Sequence, residues 1–568
     1  MGVNNQSFIE LNGRERAQAI LDQGTFRELL GPFDGIESPH LPKQNIVPQS
    51  DDGVIIASGL IAGEPAVVIS IEGGFQGGGI GEVSGAKIAG ALELALNNHK
   101  KGVPVRPVFL FDTGGVRLQE ANYGLLSISE IGSAVVALRE HTPVVGVISG
   151  NVGCFGGMSI TASLFSYLIM TKEARFGLNG PEVIEQEAGV EEFDARDRSL
   201  IWKTIGGIQR YETGFADTLA QDDVTAIQRA VQETFQKKEK VASKTEQVDF
   251  YRHLLSKVDP SEKMAPYQFQ ELYKATKNEH IPSAVSYSLN EVPGSMPNSR
   301  GRVWINALIN DEEADFEIPS VLYKDALLGR EKVRYISVVP NPYNRFLRAR
   351  KGEVGLDEGW AIAKHVREVI KEDRNQSPRP IIAIVDVPSQ AYGYHEELLG
   401  IHYACGAAAD AYAAARLAGH PVITLIVGKA ISGAFLAHGY QSNRILALKD
   451  EGVNVHAMSK QSAARITKRS IKELEEASKK VPSMAYDIKS FASLGALYEL
   501  VSGIQAEQPT ERDVQMIQDI LIGAVEDVRC EGVYDLSSRL HSEQARKEGR
   551  KASLWVRGEL EKNGIYSS

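Results

Sequence analysis

Two loops carry the residues whose types and spacing could do chemistry. The first is DTGGVRLQE, Asp112 to Glu120, and the second is GNVGCFGGMS, Gly150 to Ser159, which contains the pair Gly156 and Gly157. Consecutive glycines let a substrate approach the backbone and leave amide hydrogens exposed. A helix that begins at Gly156 and Gly157 would add unpaired N–H groups and the positive end of its dipole, which suit a developing oxyanion. Two such turns together can form an oxyanion hole, whereas either alone is more often a tight turn needed for packing.

The second half of the chain offers a related but different pair of loops. Gly433 and Ala434 match Gly156 and Gly157 if one residue of slippage is allowed between the repeats. The loop VPSQAYGYHEELLG replaces TGGVRLQE and brings side chains that can donate a proton or orient a substrate, namely Tyr392, Tyr394, His395, Glu396 and Glu397. The alternative is a solvated loop and helix start, because acidic residues favour the first helical turn.

The motifs of several other chemistries are missing from the sequence. A third glycine cluster, Gly73 to Lys87, contains no GxGxxG, and Lys87 follows Ala86 and not the glycine that a phosphate loop requires. There is no GxSxG elbow for a serine hydrolase, and no HExxH or paired-cysteine spacing for a metal. The chemistry is therefore narrowed to catalysis by backbone amides, with no metal and no side-chain nucleophile evident.

The elements that must position these loops are predicted twice. Apolar runs flanked by proline occur at RPVFLF and RPIIAIV, and again at HTPVVGVI and GHPVITLIV. Each has the pattern of a buried strand. Asp112 and Asp386 lie 274 residues apart, and Pro143 and Pro421 lie 278 apart. Alanine-rich stretches at residues 128–139 and 403–417 have the period of crossover helices. The sequence therefore predicts an α/β protein with a repeated βαβ unit and a mostly parallel sheet.

The repeats divide the chain into two domains. We expect domains at residues 1–285 and 300–568, joined by a linker at 286–299 that is rich in Pro, Ser, Asn and Gly. Each half is large enough to fold alone.

Composition narrows the class of protein. Hydrophobic residues make up 43% and charged residues 24%, as in ordinary globular proteins, and a net charge of −11 disfavours nucleic acid as a partner. Three distant cysteines, Cys154, Cys405 and Cys530, form no disulfide framework, which fits a reducing cytoplasm. The uncharged run at 143–171 is interrupted by glycines, so we expect a buried strand, turn and helix and no membrane span. The charged amino-terminal region predicts no signal peptide.

Several runs of the sequence, in order, resemble the acyl-CoA carboxyltransferases. LDQGTFREL, KKGVPV, FDTGGVRLQEAN and the GCFGG turn resemble the amino-terminal half of that family, and IVDVPSQAYGYHEELLGIHYACGAAA with GKAISGAF resembles the carboxyl-terminal half. The closer resemblance is to the beta and gamma subunits of biotin-independent malonate decarboxylase, here fused. RGRVWINAL, from Arg300, and the stretch from Val339 to Ala363 resemble the gamma subunit in particular.

This resemblance implies two tandem crotonase-like domains of the ββα-superhelix, carboxyltransferase type, the first beta-like and the second gamma-like. It implies a carbon–carbon lyase in which a malonyl thioester loses carbon dioxide through an oxyanion-stabilised enolate and becomes an acetyl thioester. The substrate would be carried on the phosphopantetheine-type, dephospho-CoA-derived arm of an acyl carrier protein, with no covalently bound cofactor and no biotin. The implied partners are that carrier protein, an acyl-carrier transferase (alpha) subunit, a coenzyme A-like thioester and further copies of the fused chain.

The resemblance also implies roles for individual residues. The oxyanion amides would be those of Gly115, Val116, Gly156 and Gly157, with Gly433 and Ala434 as their second-half equivalents. We expect Tyr392, Tyr394, His395 or a bound water to protonate the product carbon, and we assign substrate binding to Gly114, Arg117, Gln390 and Glu396.

Two other functions remain open from the sequence. One is a carboxyltransferase that passes the malonyl carboxyl group to biotin on a carrier subunit, because two paired holes would serve biotin equally well. The other makes the second half a non-catalytic scaffold that docks the acidic carrier protein.

Overall fold

The computed structural model describes residues 6–237, 242–282, 296–310 and 312–565. The chain forms two compact units, each with one mixed sheet and surrounding helices. The strands are β1 Arg27–Glu28, β2 Val54–Ile61, β3 Glu64–Ile71, β4 Arg106–Phe111, β5 Val145–Ile148, β6 Tyr167–Thr171, β7 Thr218–Ala220, β8 Asp315–Phe316, β9 Val321–Leu328, β10 Glu331–Val338, β11 Ile381–Val387, β12 Val422–Ile431, β13 Arg444–Leu448, β14 Asn454–His456 and β15 Glu499–Val501.

Helices surround and connect these strands. They are α1 Gly13–Ile20, α2 Glu82–Lys100, α3 Asn122–Leu138, α4 Gly157–Ser163, α5 Pro181–Ala188, α6 Arg198–Ile205, α7 Gly207–Glu212, α8 Val224–Gln236, α9 Val248–Ser256, α10 Pro266–Lys277, α11 Arg300–Leu308, α12 Leu356–Glu372, α13 Tyr394–Leu398, α14 Ile401–Leu417, α15 Ser432–Ala437, α16 Lys460–Thr467, α17 Ile471–Lys480, α18 Ile488–Ala492, α19 Glu511–Glu531, α20 Ser538–His541 and α21 Lys551–Asn563. Every helix in these described ranges is too short or too polar to cross a membrane.

The sheet of the first unit runs in the order β1 to β7. Strands β1, β2 and β3 pair antiparallel, and β3 to β7 pair parallel. The apolar run of β4 is almost wholly buried because it pairs on both sides, with Val108 opposite Val68 and Val145. Parallel strands end at the same edge of a sheet, so the loops after β4 and β5 are brought together there.

The sheet of the second unit repeats this plan. Its order is β15-β13-β12-β11-β10-β9-β8, with β14 beside β12, and only the β8–β9 and β9–β10 pairs are antiparallel among the described strands. Helix α14 is rich in alanine, a strong helix former, and Gly419, two residues after its end, has a φ of +91° that favours glycine. The prediction of two α/β domains with repeated, mostly parallel sheets is thus confirmed.

The compact units do not follow the predicted boundaries at every point. Residues 286–295 of the expected linker lie outside the described residues. The first unit comprises Met1–Lys244, Ala265–Ala275 and Lys551–Ser568, and the second comprises Thr245–Met264 and Thr276–Arg550. The units therefore depart from the expected domains at 1–285 and 300–568 by two exchanges. Residues 245–264 and 276–285 belong to the second unit, and residues 551–568 belong to the first.

Side-chain contacts explain the first of these exchanges. In the second unit, the ring of Tyr251 on α9 stacks on Trp360 with centroids 4.8 Å apart and planes 11° from parallel. Arg345 donates to the carbonyls of Leu255 at 3.0 Å and Val258 at 2.9 Å. Helix α9 therefore completes the second unit's core.

The second exchange places α21 against α2 and α3 of the first unit. Arg557 is buried and donates to both carboxylate oxygens of Glu93, at 2.8 and 3.0 Å, and to Glu130 at 2.9 Å. Burial by itself would lower the pKa of Arg557, but these two carboxylates raise it above its usual value. Glu130 is itself 3% exposed, and the Arg557 guanidinium compensates its buried charge.

We predict that Arg557→Ala lowers the free energy of unfolding of the first unit by about 3–5 kcal/mol, because it removes the buried guanidinium that pairs with the Glu130 carboxylate. Chemical denaturation monitored by circular dichroism measures this. Lys562→Ala, which removes an exposed pair with Glu559 on the same helix, is the matched control and should cost less than about 1 kcal/mol. Equal effects of the two changes would contradict the role given to Arg557.

Candidate active site

The loops that follow β4 and β5 lie side by side in the first unit. The Thr113 amide donates to the Gly153 carbonyl at 2.8 Å, and the Phe155 amide donates to the Thr113 carbonyl at 3.0 Å. Cys154, between these partners, is fully buried, and burial raises the pKa of its thiol well above the usual value. A thiol that stays protonated is a poor nucleophile, so the chemistry of this region falls to its backbone.

The contact between the two loops is made by backbone atoms. Gly115 has a φ of +102°, and a β-carbon added to it would lie 2.9 Å from the Cα atom of Gly156. Gly156 has a φ of +59°, and a β-carbon there would lie 3.1 Å from the Gly114 carbonyl oxygen. Glycine therefore suits both positions, in backbone conformation and in the space available.

The predicted oxyanion amides fall into two classes. The Gly115 amide donates to the Thr113 hydroxyl at 3.0 Å, and the Gly156 amide donates to the Leu178 carbonyl at 2.9 Å. The amides of Val116 and Gly157 donate to no group in the part of the chain that the structure describes. Gly157 is the first residue of α4, where an amide has no partner within its own helix. Each loop thus contributes one committed and one uncommitted donor.

Gly114 and Asp112 fix the shape of the first loop. Gly114 is exposed, but its amide donates to the Gly77 carbonyl at 2.9 Å. The Asp112 carboxylate accepts from the Val152 amide at 2.8 Å on one oxygen and from the Arg16 guanidinium at 3.0 Å on the other. Asp112 therefore ties the end of β4 to the second loop. The sequence marked Asp112 only as a strand end, and no local signal connected it with Arg16.

The third glycine cluster proves to be the packing partner of the first loop. A β-carbon on Gly78 would lie 2.0 Å from the Asp112 carbonyl oxygen, and one on Gly81 would lie 1.5 Å from the Glu120 carboxylate. Lys87 is fully buried and donates to backbone carbonyls, among them that of Leu30 at 3.0 Å, and burial lowers its pKa to about 8. The glycines let two loops pack closely, and the lysine is committed inside the unit.

Arg117, which the sequence analysis assigns to substrate binding, lies inside the first unit. Arg117 is 2% exposed, and its guanidinium donates to the Asp52 carboxylate at 2.6 Å and to the Asp52 carbonyl at 3.2 Å. Although burial opposes it, Asp52 and Glu120 raise the pKa of Arg117 above its usual value. Arg117 therefore holds the first loop from inside the unit, because its polar group faces acidic residues that lie far away in the sequence.

The same backbone pattern flanks Val116 and Gln390. In the first unit, Ile80 bridges Val116 by donating to the Gly115 carbonyl at 2.8 Å and accepting from Arg117 at 2.9 Å. In the second unit the equivalent residues lie 274 positions further along the chain, where Val354 bridges Gln390. The backbone of Val354 forms hydrogen bonds of 3.0 Å with the residues on either side of Gln390. Gln390 therefore occupies in the second unit the place of Val116 in the first.

Backbone conformation gives one alignment of the helix starts in the two units. Ser432 has a φ of +57°, which is close to the φ of +59° at Gly156. Each of the two residues directly precedes a glycine in the first turn of a short helix. By this criterion Ser432 and Gly433 correspond to Gly156 and Gly157, and Ala434 follows the pair. The Gly433 amide donates to the side-chain oxygen of Gln390 at 3.0 Å.

The polar loop of the second unit is partly committed to its own fold. The Tyr394 hydroxyl donates to the Met264 carbonyl at 2.8 Å, and the Met264 amide donates to His395 Nε2 at 3.3 Å. Burial raises the pKa of Tyr394 to about 12. Tyr392 is half-buried and Glu396 is buried. Tyr394 and His395 thus hold the segment that follows α9.

The described residues contain no cluster of three or more His, Cys, Asp or Glu side chains arranged to hold a metal ion.

Both halves of the chain match known protein families. The family of the carboxyl transferase domain matches residues 10–295, and the malonate decarboxylase gamma subunit family matches residues 349–563. A malonyl-S-ACP:biotin-protein carboxyltransferase of Malonomonas rubra, MADC, is 38% identical over 51% of this chain and 95% of its own length. Its counterpart MADD, of the same name and organism, is 36% identical over 36% of this chain and 76% of its own length.

A solved structure, that of a Pseudomonas malonate decarboxylase hetero-tetramer in complex with malonate, is 53% identical over 48% of this chain and 98% of that chain, with a TM-score of 0.47. The sequence-based resemblance to fused carboxyltransferase and malonate decarboxylase subunits is confirmed by the two family matches. The chain belongs to the carboxyl transferase family, and it joins a carboxyl transferase domain and a malonate decarboxylase gamma subunit domain in one polypeptide.

Proposed function

We propose that this chain decarboxylates a malonyl thioester to an acetyl thioester. The observation that carries the proposal is the pair of uncommitted amides, Val116 and Gly157, on two loops that touch through Gly115 and Gly156. Family membership supports the same chemistry, because it associates the chain with carboxyl transfer and with malonate decarboxylase.

The reaction needs what this arrangement offers. When the bond between C2 and the carboxylate carbon breaks, its electron pair moves onto the thioester carbonyl, and an enolate forms. Amides that point at this oxygen stabilise the developing charge, and the loss of one such donor typically raises a barrier by about 2.7–4 kcal/mol. Because Asp112 and the glycine contacts hold the loops in place, the donors need little reorganisation during the reaction.

The enolate must then take up a proton at C2. The hydrogen bonds of Tyr394 and His395 to Met264 favour a structural part for both side chains. We therefore assign the protonation to Tyr392 or to a water molecule in the site. Glu396 and Gly114 remain proposed substrate contacts, Gly114 because it is exposed at the edge of the first loop.

The substrate and partners follow from the same proposal. The Malonomonas relatives are named for malonyl-S-ACP, which supports a malonyl group on the phosphopantetheine-type, dephospho-CoA-derived arm of an acyl carrier protein. An acyl-carrier transferase subunit would load that carrier, and copies of the fused chain would associate with one another in the cytoplasm. No biotin and no metal take part in the proposed reaction.

A second function is favoured by one observation. Both Malonomonas relatives are named as biotin-protein carboxyltransferases, so the carboxyl group could pass to biotin on another subunit instead of leaving as carbon dioxide. For the third hypothesis, in which the second unit is a non-catalytic scaffold that binds the carrier protein, we find no supporting observation.

The first prediction separates decarboxylation from transfer to biotin. The purified chain, supplied with malonyl-loaded carrier protein, should release carbon dioxide and form acetyl thioester at the same rate with and without excess avidin. Labelled carbon dioxide and mass spectrometry of the carrier measure the two products. Complete inhibition by avidin would establish the biotin-dependent alternative.

The second prediction isolates one amide donor. Proline is tolerated at the first position of a helix, so Gly157→Pro should keep α4 and remove only the N–H group. We expect kcat to fall by about 10²- to 10³-fold relative to Gly157→Ala, which adds a β-carbon but keeps the donor. Steady-state kinetics on both variants measure this, and equal rates would exclude the Gly157 amide from the oxyanion hole.

The third prediction concerns Tyr394. Tyr394→Phe removes the hydrogen bond to the Met264 carbonyl, so the free energy of unfolding of the second unit should fall by about 1 kcal/mol, while turnover of the folded enzyme persists. Urea denaturation and kcat are measured on the same preparation. A loss of turnover with unchanged stability would identify Tyr394 as the proton donor after all.

A further inference from the structure

The hydrogen bond between Gln390 and Gly433 joins the two positions that correspond to the uncommitted donors of the first unit. Gln390 stands where Val116 stands, and Gly433 stands where Gly157 stands. Gln390 is 5% exposed, and its side-chain carbonyl oxygen accepts a hydrogen bond from the Gly433 amide at 3.0 Å. Valine at position 116 has no acceptor that could do the same. The amide at the helix start therefore has an acceptor in the second unit, where Gln390 provides it, and has none among the described residues of the first unit, where valine stands at the equivalent position.

We infer that Gln390 is a specificity-determining residue. Its side-chain carbonyl accepts the Gly433 amide at the helix start of the second unit and so prevents that amide from donating to a substrate carbonyl. This inference rests on the proposed decarboxylation. An amide carbonyl presents the same acceptor atom as a thioester or a cyclic urea, so a bound molecule of either class must first displace Gln390. Displacement breaks the hydrogen bond between the Gly433 amide and the buried Gln390 carbonyl, which makes binding weaker.

The consequence for the reaction concerns the fate of the carboxyl group. In transfer to a cyclic urea such as biotin, the bond from C2 to the carboxylate carbon breaks and a bond from a ring nitrogen to that carbon forms. The proton of the ring N–H group passes to C2, which yields acetyl thioester and the carboxylated urea. Removal of that proton puts negative charge on the urea oxygen, which a backbone donor would stabilise. With Gly433 already engaged, the donor is withheld, and carbon dioxide leaves free.

Binding of free biotin tests this inference in the full chain. Isothermal titration calorimetry compares the unaltered protein, Gln390→Val and Gln390→Glu. The valine copies the residue at position 116 and removes the acceptor, so we expect biotin to bind about three- to tenfold more tightly than to the unaltered chain. The glutamate keeps an acceptor oxygen and should match the unaltered chain. Equal affinities of the valine variant and the unaltered chain would overturn the inference, as would tight binding by all three proteins.

Two further measurements keep the outcomes separate. If Gln390→Val does not fold, hydrogen exchange of the unaltered chain still decides, because the Gly433 amide should be protected by its bond to Gln390, and exchange at the intrinsic rate would overturn the inference. Decarboxylation of malonyl-loaded carrier by the unaltered chain is measured without biotin. Its absence would refute the proposed function, whereas the biotin affinities bear on Gln390 alone.

Discussion

The contact between the backbones of Gly115 and Gly156 is the constraint on which the candidate site depends. No side chain separates the loops after β4 and β5, so their amides can converge on one small region of the first unit. The contact is maintained by groups outside it, above all the Asp112 carboxylate, which is held between Arg16 and the Val152 amide. A site made of amides has no functional side chain of its own, and its precision comes from the packing of the loops that carry them.

The strands, the crossover helices and the glycine-bearing turns could be predicted from the sequence, because each is encoded by a local pattern. The state of an individual amide could not. Whether Gly156 donates to Leu178 depends on a loop more than twenty residues away, and the bond from Gly115 to Thr113 depends on a single rotamer. Neither partner leaves a mark in the pattern around the glycines.

Polar residues in the loops were the least predictable. Arg117 and Gln390 have side chains that suit substrate binding, yet one turns to Asp52 inside the first unit and the other to Gly433 inside the second. The third glycine cluster was predicted to lack nucleotide-binding spacing, and its role as a packing surface required the neighbouring loop to be seen. Sequence type identified what these residues can do, while long-range contacts determined what they are committed to.

The exchange of α9 and α21 between the sequence halves has a consequence for biosynthesis. During translation, the face of α2 that receives Arg557 stays uncovered until residue 557 has left the ribosome, long after the strands of the first unit have been made. The first unit must therefore wait, partly folded, while the second is synthesised. Genes that encode the halves separately, cut at the linker, would have to deliver this helix from another chain.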